Sequence, residues 1–489
     1  MMESTERRPS SDYTEIISRL PLKHRLAYGV GHVLNDICAS MWFTYLLVFF
    51  HLVLQFNSFL AGLVLLIGQI ADAVATPFVG YQSDKDDNFW LCKYGRRKTW
   101  HLFGTVCVLF SFPLIFSPCL NCEHSHQWAQ LIYYSAFVII FQLGWASVQI
   151  SHLSLIPDLT PSEHERTELT AIRYSFTVCS NVFVYIITWA ILHFTSENSE
   201  AQIGPKDLTK FQNVSLIGIG VGAFASLIFH LGVKEAPPRS DGLTHGPGGR
   251  RTALHMLKDI QLYQVAGVYM ATRLFVNLSQ VYIPLYLHES LSMNAESLAI
   301  VPLVMLLSSF GTSLLIKLLN KKLGRKVAYL VGAAVGFAGC LWIQFGYGSA
   351  FVRYEIYGVA ALLGAGGSIM LVTSLGITAD FIGHNTESGA FVYGAMSFTD
   401  KLSNGVAVTI IQALKCGTLC VDYYRDVMTY VCGGAALFGV VALVTLMPFQ
   451  IGRRKDGAAP PYSSLTSEEQ TDGFVNTSIQ NENQAGLIS

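Results

Sequence analysis

From Leu26 onward the chain alternates long apolar runs with short polar, often basic, connectors. A bilayer-spanning helix needs roughly 20 mostly apolar residues. Runs of that kind lie at 26–51, 58–80, 99–118, 130–156, 169–194, 213–233, 262–288, 297–319, 326–347, 354–378, 389–414 and 423–448. The pattern predicts twelve transmembrane helices with both termini on one side of the membrane. The fourth, fifth, tenth and eleventh runs hold the most polar residues, so their ends are the least defined.

Composition agrees with the pattern. The 489 residues are 51% hydrophobic and 13% charged, with mean hydropathy +0.41, whereas a soluble chain carries about 25% charged residues. A net charge of -1 offers no basic surface for nucleic acid. The polar segment 1–25 has no apolar core or small-residue cleavage site before Leu26, so no cleaved signal peptide is expected.

Basic residues set the orientation, because Lys and Arg in short loops stay on the cytosolic side. They gather in the tail (Arg7, Arg8, Arg19, Lys23, Arg25), at 81–98 (Lys85, Lys93, Arg96, Arg97, Lys98), at 234–261 and at 317–326. The alternate connectors hold only Lys206, Lys210, Arg353 and Lys415. Both termini are expected in the cytosol.

The Pro- and Gly-rich stretch KEAPPRSDGLTHGPGGRRT reads as a linker, 234–261, between helices 26–233 and helices 262–448, with cytosolic tails at 1–25 and 449–489. KYGRRK (93–98) and KLGRKV (322–327) fall at matching places in the two halves, which favours a parallel repeat. The expected fold class is an all-α polytopic membrane protein, twelve transmembrane helices in two six-helix bundles around a central cavity.

Ionisable residues inside spans are costly and mark sites or structural pairs. Here they are Asp36, Asp72, Arg173, Arg273, Asp400 and Lys401, with His32 and His152. Asp36 and His32 share a helix face, and Arg273, Asn277 and Gln280 form a polar stripe at i, i+4, i+7. One reading is that these charges pair and hold the bundles together. The other is a cavity of both signs suited to a small zwitterion, its carboxylate on Arg173 or Arg273 and its ammonium on Asp36. No metal-ligand set or nucleophile-base constellation falls within the spans, so an enzyme is not expected and no cofactor is implied.

These motifs resemble the major facilitator superfamily, whose two bundles rock about a central site. GYQSDK (80–85) with YGRRK (94–98) resembles a stretched form of its helix 2 to 3 loop signature, departing from it by the intervening DDNFWLC; the resemblance implies gating-loop roles for Asp84, Arg96, Arg97 and, in the second half, Arg325. AYGVGHVLND, GQIADAVATP, SLIPDLTPSEHERTELTAIR and ADFIGHNTESGAFVYGAMSFTDKLSNG resemble the melibiose-carrier-like sodium/sugar symporters. That resemblance maps the sugar carboxylate to Asp36 and the cation site to Asp72, Thr76 and Gln149, with the helix 11 lysine at Lys401. Only one of three cation-site carboxylates is retained, so sodium coupling is not expected; Asp72 with Lys401 either exchanges a proton or forms a structural pair. SHLSLIP to LTAIRY, TRLFVNLSQ and SGAFVYGAMSF resemble the superfamily's cysteine carriers of lysosomes and melanosomes. This implies cysteine import from the cytosol into those lumens, with an effect on pheomelanin pigmentation. A sugar or lipid carrier, or a non-transporting scaffold or receptor, is the alternative.

Cys119 and Cys122 form a CxxC beside Glu123, His124 and His126, and Cys416 and Cys420 lie in another lumenal connector. One short loop rarely closes four metal ligands, so disulfides among these four are expected rather than a metal site. Asn213 (NVS) is the one glycosylation motif near a lumenal loop. YTEI from Tyr13 and YSSL from Tyr462 to Leu465 have the form read by sorting adaptors and point to an endolysosomal address.

Overall fold

The computed structural model describes residues 20–84, 94–122, 125–160, 162–195, 201–235, 259–382, 386–415 and 420–448. Among the described residues the long helices are α1 (Leu22–Val53), α2 (Ser58–Asp84), α3 (Arg96–Ile115), α4 (Gln127–Ser154), α5 (Glu163–Phe194), α6 (Leu208–Gly232), α7 (Ile260–Leu285), α8 (Ser297–Leu323), α9 (Arg325–Phe345), α10 (Gly348–Ile382), α11 (Thr386–Ala413) and α12 (Tyr423–Leu446). Ten candidate membrane spans emerge from length and apolar content. The two helices outside that set, α7 and α11, hold Arg273, Asn277 and Gln280, and Asp400 and Lys401. Polar groups dilute their hydropathy; Arg273, Asn277 and Asp400 are buried in the protein, and Gln280 and Lys401 are half-buried.

Some helix ends differ from the apolar runs. α5 starts at Glu163 rather than 169, because its polar first turns face protein: Glu165 accepts from the Leu20 backbone and the Thr160 hydroxyl, and Glu168 pairs with Arg25. α6 starts at Leu208, so Asn213 lies within the helix and not in a loop.

α1 and α7 end alike. Each finishes in a π-helical turn, Phe49–Val53 and Tyr286–Ser290. A residue of positive φ follows each turn, Gln55 at 56° and Ser292 at 50°. Backbone bonds close both turns in the same register, Phe56 N to Phe50 O and Met293 N to Leu287 O, each 2.9 Å. The starts of α3 and α9 match too, since Gly95 and Gly324 precede them with φ of 125° and 76°, a region open to glycine. At those starts Arg97 pairs with Asp158 beyond the end of α4, and Arg325 with Asp380 near the end of α10.

Membrane helices gain little from the hydrophobic effect when they meet each other, so close packing of small residues must supply contact. α2 packs along α11 in this way. A Cβ on Gly405 would lie 2.8 Å from Leu66 Cδ1 and 3.1 Å from Gln69 Cβ, and one on Gly62 would lie 3.0 Å from Gln412 Cβ. At the end remote from the basic connectors the two groups of six helices are also tied by polar contacts. Lys415 donates to His51 Nε2 (2.6 Å) and Glu289 (2.7 Å), His193 meets Glu296 (2.9 Å), and Ala295 N reaches Ala201 O (3.0 Å).

Candidate functional site

Where α2, α4, α7 and α11 converge, a small cavity is lined by Phe43, Trp145, Asp72, Arg273, Asp400 and Lys401, together with Gln69, Thr76, Gln149, Ile150 and Asn277. Its volume of about 30 Å³ is that of one water molecule. Helical spacing brings these groups here. Gln69, Asp72 and Thr76 fall on one stripe of α2, and Arg273 and Asn277 on one stripe of α7.

The charges are paired. Lys401 Nζ lies 2.7 Å from Asp72 Oδ2 and donates to Thr76 Oγ1 at 3.0 Å, while Thr76 donates to Asp72 Oδ1 at 3.0 Å. Arg273 Nε donates to Asp400 Oδ2 at 2.8 Å, and Asn404 Nδ2 donates to Asp400 Oδ1 at 2.6 Å. Trp145 Nε1 donates to Gln149 Oε1 at 2.9 Å. The lysine ammonium thus sits on the Asp72 carboxylate.

Asp36 and Arg173 do not line this cavity. They meet within the first six helices, where His32 Nδ1 donates to Asp36 Oδ1 (2.9 Å), Thr177 Oγ1 donates to Asp36 Oδ2 (2.9 Å) and Arg173 Nη2 donates to His32 Nε2 (3.2 Å). The polar stripe of α7 divides as well: Gln280 turns away from Arg273 and Asn277 and donates to Thr44 Oγ1 at 3.2 Å. The five residues grouped by sequence as one substrate set therefore fall in three places.

Cys119 and Cys122 are paired, and Cys420 is disulfide-bonded. Cys416, Glu123 and His124 lie outside the described residues, as do Tyr13, Tyr462, Leu465 and the Asp84 side chain. Among the described residues no group of three or more His, Cys, Asp or Glu could hold a metal ion. Sequence reasoning missed Trp145, Thr177 and Asn404, which carry no charge, and the partners His51, at the end of the first span, and Glu289 and Lys415, just beyond spans.

The model for the MFS/sugar transport protein family matches residues 27–452. Major facilitator superfamily domain-containing protein 12 of Mus musculus is 47% identical over 461 residues, 89% of this chain and 96% of that protein. The protein of the same name from Homo sapiens is 46% identical over 90% of this chain and 97% of its own length. A crystal structure of the nucleoside transporter NupG superposes with a TM-score of 0.65 over 86% of this chain and 99% of that chain; at 11% identity this shows the shared fold alone. The chain therefore belongs to the MFS/sugar transport protein family of the major facilitator superfamily, and it is a multi-pass membrane transporter of small solutes, not an enzyme.

Proposed function

We propose that the chain imports cysteine from the cytosol into the lumen of lysosomes and melanosomes, supplying thiol for pheomelanin, with both termini cytosolic. In this reading the six-helix units 26–233 and 262–448, joined by the linker 234–261, rock about the central cavity. The observation that carries it is the wall of two carboxylates and two cations, Asp72, Asp400, Arg273 and Lys401, meeting in one cavity.

A zwitterion exchanges ion pair for ion pair there. Its carboxylate takes the place of Asp72 or Asp400 on Lys401 or Arg273, and its ammonium takes the place of the cation on the freed carboxylate. No buried charge is left unpaired, which matters because breaking a buried pair from one side costs about 3–5 kcal/mol. A cavity of about 30 Å³ does not admit an amino acid, so one face opens before substrate enters. In this reading the contacts of His51, Glu289 and Lys415 close the lumenal face, and entry is from the cytosol.

A second reading, a sugar carrier, draws on Phe43 and Trp145 with the amides of Gln69, Gln149 and Asn277 in the same wall. Labelled cysteine, cystine and sugars offered to intact lysosomes with and without the protein separate the two. Cysteine uptake that depends on the protein is expected, and equal cysteine uptake in both preparations defeats the proposal.

A further inference from the structure

Four histidines from four helices meet inside the first six helices: His32 of α1, His101 of α3, His152 of α4 and His230 of α6. His32, His101 and His152 are fully buried, and His230 is half-buried beside the exposed Tyr94. Their hydrogen bonds fix the tautomers. A ring nitrogen that faces a carbonyl must donate, so His101 Nε2 donates to Gly31 O (3.0 Å) and His152 Nε2 to Tyr28 O (2.8 Å). His101 Nδ1 is then an acceptor, filled by His230 Nε2 at 3.0 Å. His32 Nδ1 donates to Asp36, which leaves Nε2 as the acceptor for Arg173.

One lone pair remains. His152 Nδ1 is buried and has no hydrogen-bond partner, a state that costs about 1–3 kcal/mol. The surroundings are shaped to keep the ring there. Tyr28 stacks on it at 4.2 Å and 15°, and a Cβ on Gly31 would lie 2.8 Å from its Cδ2 and Nε2. The ring centroids of His32 and His101 stand 5.6 Å and 6.0 Å away, separations that one water spans.

We propose that this cluster is a proton-binding site, entered from the Tyr94 and His230 end, and that a proton reaching His32 Nε2 displaces Arg173. The step forms only N–H bonds. A proton from water at the exposed end passes along the His230 to His101 hydrogen bond and comes to rest on His152 Nδ1 or His32 Nε2. His32 Nε2 holds either that proton or the Arg173 N–H, because two donors cannot share one lone pair. Burial, Arg173 and Lys98, itself near Glu235, oppose the added charge, and Asp36 favours it; Tyr28, Tyr94 and Thr105 also face the rings, and Thr177 faces Asp36. Coupling of this proton to cysteine movement rests on the transport reading above, in which the substrate carboxylate meets Lys401 or Arg273 of the central cavity.

The test begins without substrate. Purified full-length protein in nanodiscs is titrated from about pH 8 to about pH 5, and protons bound per chain are compared with those bound by His152→Gln, whose amide still donates to Tyr28 O but has no titrating nitrogen. His32→Gln carries the same comparison, alone if His152→Gln does not fold. One of the two variants is expected to bind about one proton fewer, and counts equal to the unaltered protein in both overturn the proposal. In proteoliposomes an imposed pH difference is expected to drive cysteine accumulation at least about tenfold less in that variant; a lower proton count with undiminished accumulation overturns the coupling of this proton to transport. If the unaltered protein takes up no cysteine, the substrate reading fails while the proton count still decides this one.

Discussion

Asp400→Asn removes one charge from a pair whose side chains are 8% (Arg273) and 1% (Asp400) exposed. The carboxylate now accepts from Arg273 Nε at 2.8 Å and from Asn404 Nδ2 at 2.6 Å. An amide has one acceptor oxygen and one donor nitrogen, so whichever way it turns it serves one of these donors and sets an N–H against the other. Charge centres about 4 Å apart at an effective dielectric near 20 attract by about 4 kcal/mol, and removing one member of a buried pair costs about 3–5 kcal/mol. The single variant is therefore expected to lose about 3–5 kcal/mol of unfolding free energy in mixed micelles. Arg273→Met with Asp400→Leu removes both charges and fills the volume with apolar atoms, so it is expected to recover most of that loss. Transport is lost in both, because the cavity wall has lost its pair. The reasoning is refuted if Asp400→Asn costs less than about 1 kcal/mol, or if the double variant costs the sum of the two singles within about 0.5 kcal/mol.

Lys401 pairs with Asp72 at 2.7 Å, so replacing sodium with choline at constant pH is expected to change cysteine uptake by less than about twofold. A sodium dependence of tenfold or so would mean that the ammonium leaves Asp72 in the working cycle. Gly405→Val forces α2 and α11 apart beside Gln69 and Asp72, where even a Cβ would lie 2.8 Å from Leu66; the overpacking is expected to cost about 1–3 kcal/mol. Initial transport rates, normalised to folded protein, should fall at least about tenfold, and a normal rate would show that this close approach plays no part in the site.

Much of the architecture was legible because bilayer-crossing helices announce themselves by length and apolarity, and the chain does so at each of the ten spans found from those properties. α7 and α11 were also found, since their charged residues interrupt runs that are otherwise apolar. The start of α5 was not legible: EHERTE is polar enough for a loop and is helical because Glu165 and Glu168 meet Thr160, Leu20 and Arg25. The charged members of the cavity stood out for their cost in a membrane, but their pairing did not. Periodicity places Asp36 and His32 on one face, yet only the fold shows that His32 stands between Asp36 and Arg173. Trp145 and Asn404 gave no signal, because an aromatic or an amide in a membrane helix is ordinary until its neighbours are known.

The matching ends of α1 and α7 give a register for comparing the two halves. With Phe49 laid on Tyr286 and Gln55 on Ser292, Asp36 falls on Arg273. The partner of Asp36, through His32, is Arg173 of α5, and the partner of Arg273 is Asp400 of α11. A carboxylate and a guanidinium thus recur in each half with their places exchanged, bridged by His32 in the first half and in direct contact in the second. The contact of Arg273 with Asp400 joins two helices of the second half, and those of His32 with Asp36 and Arg173 join two helices of the first. The pair of Asp72 and Lys401 differs, since it joins α2 to α11 and must part if those helices part. On the proposed rocking motion this contact is therefore the one that substrate has to replace, and a zwitterion does so at both ends, its ammonium on Asp72 and its carboxylate on Lys401. A neutral sugar offers hydroxyls to both and a full charge to neither, so the same opening would cost more with a sugar bound than with an amino acid.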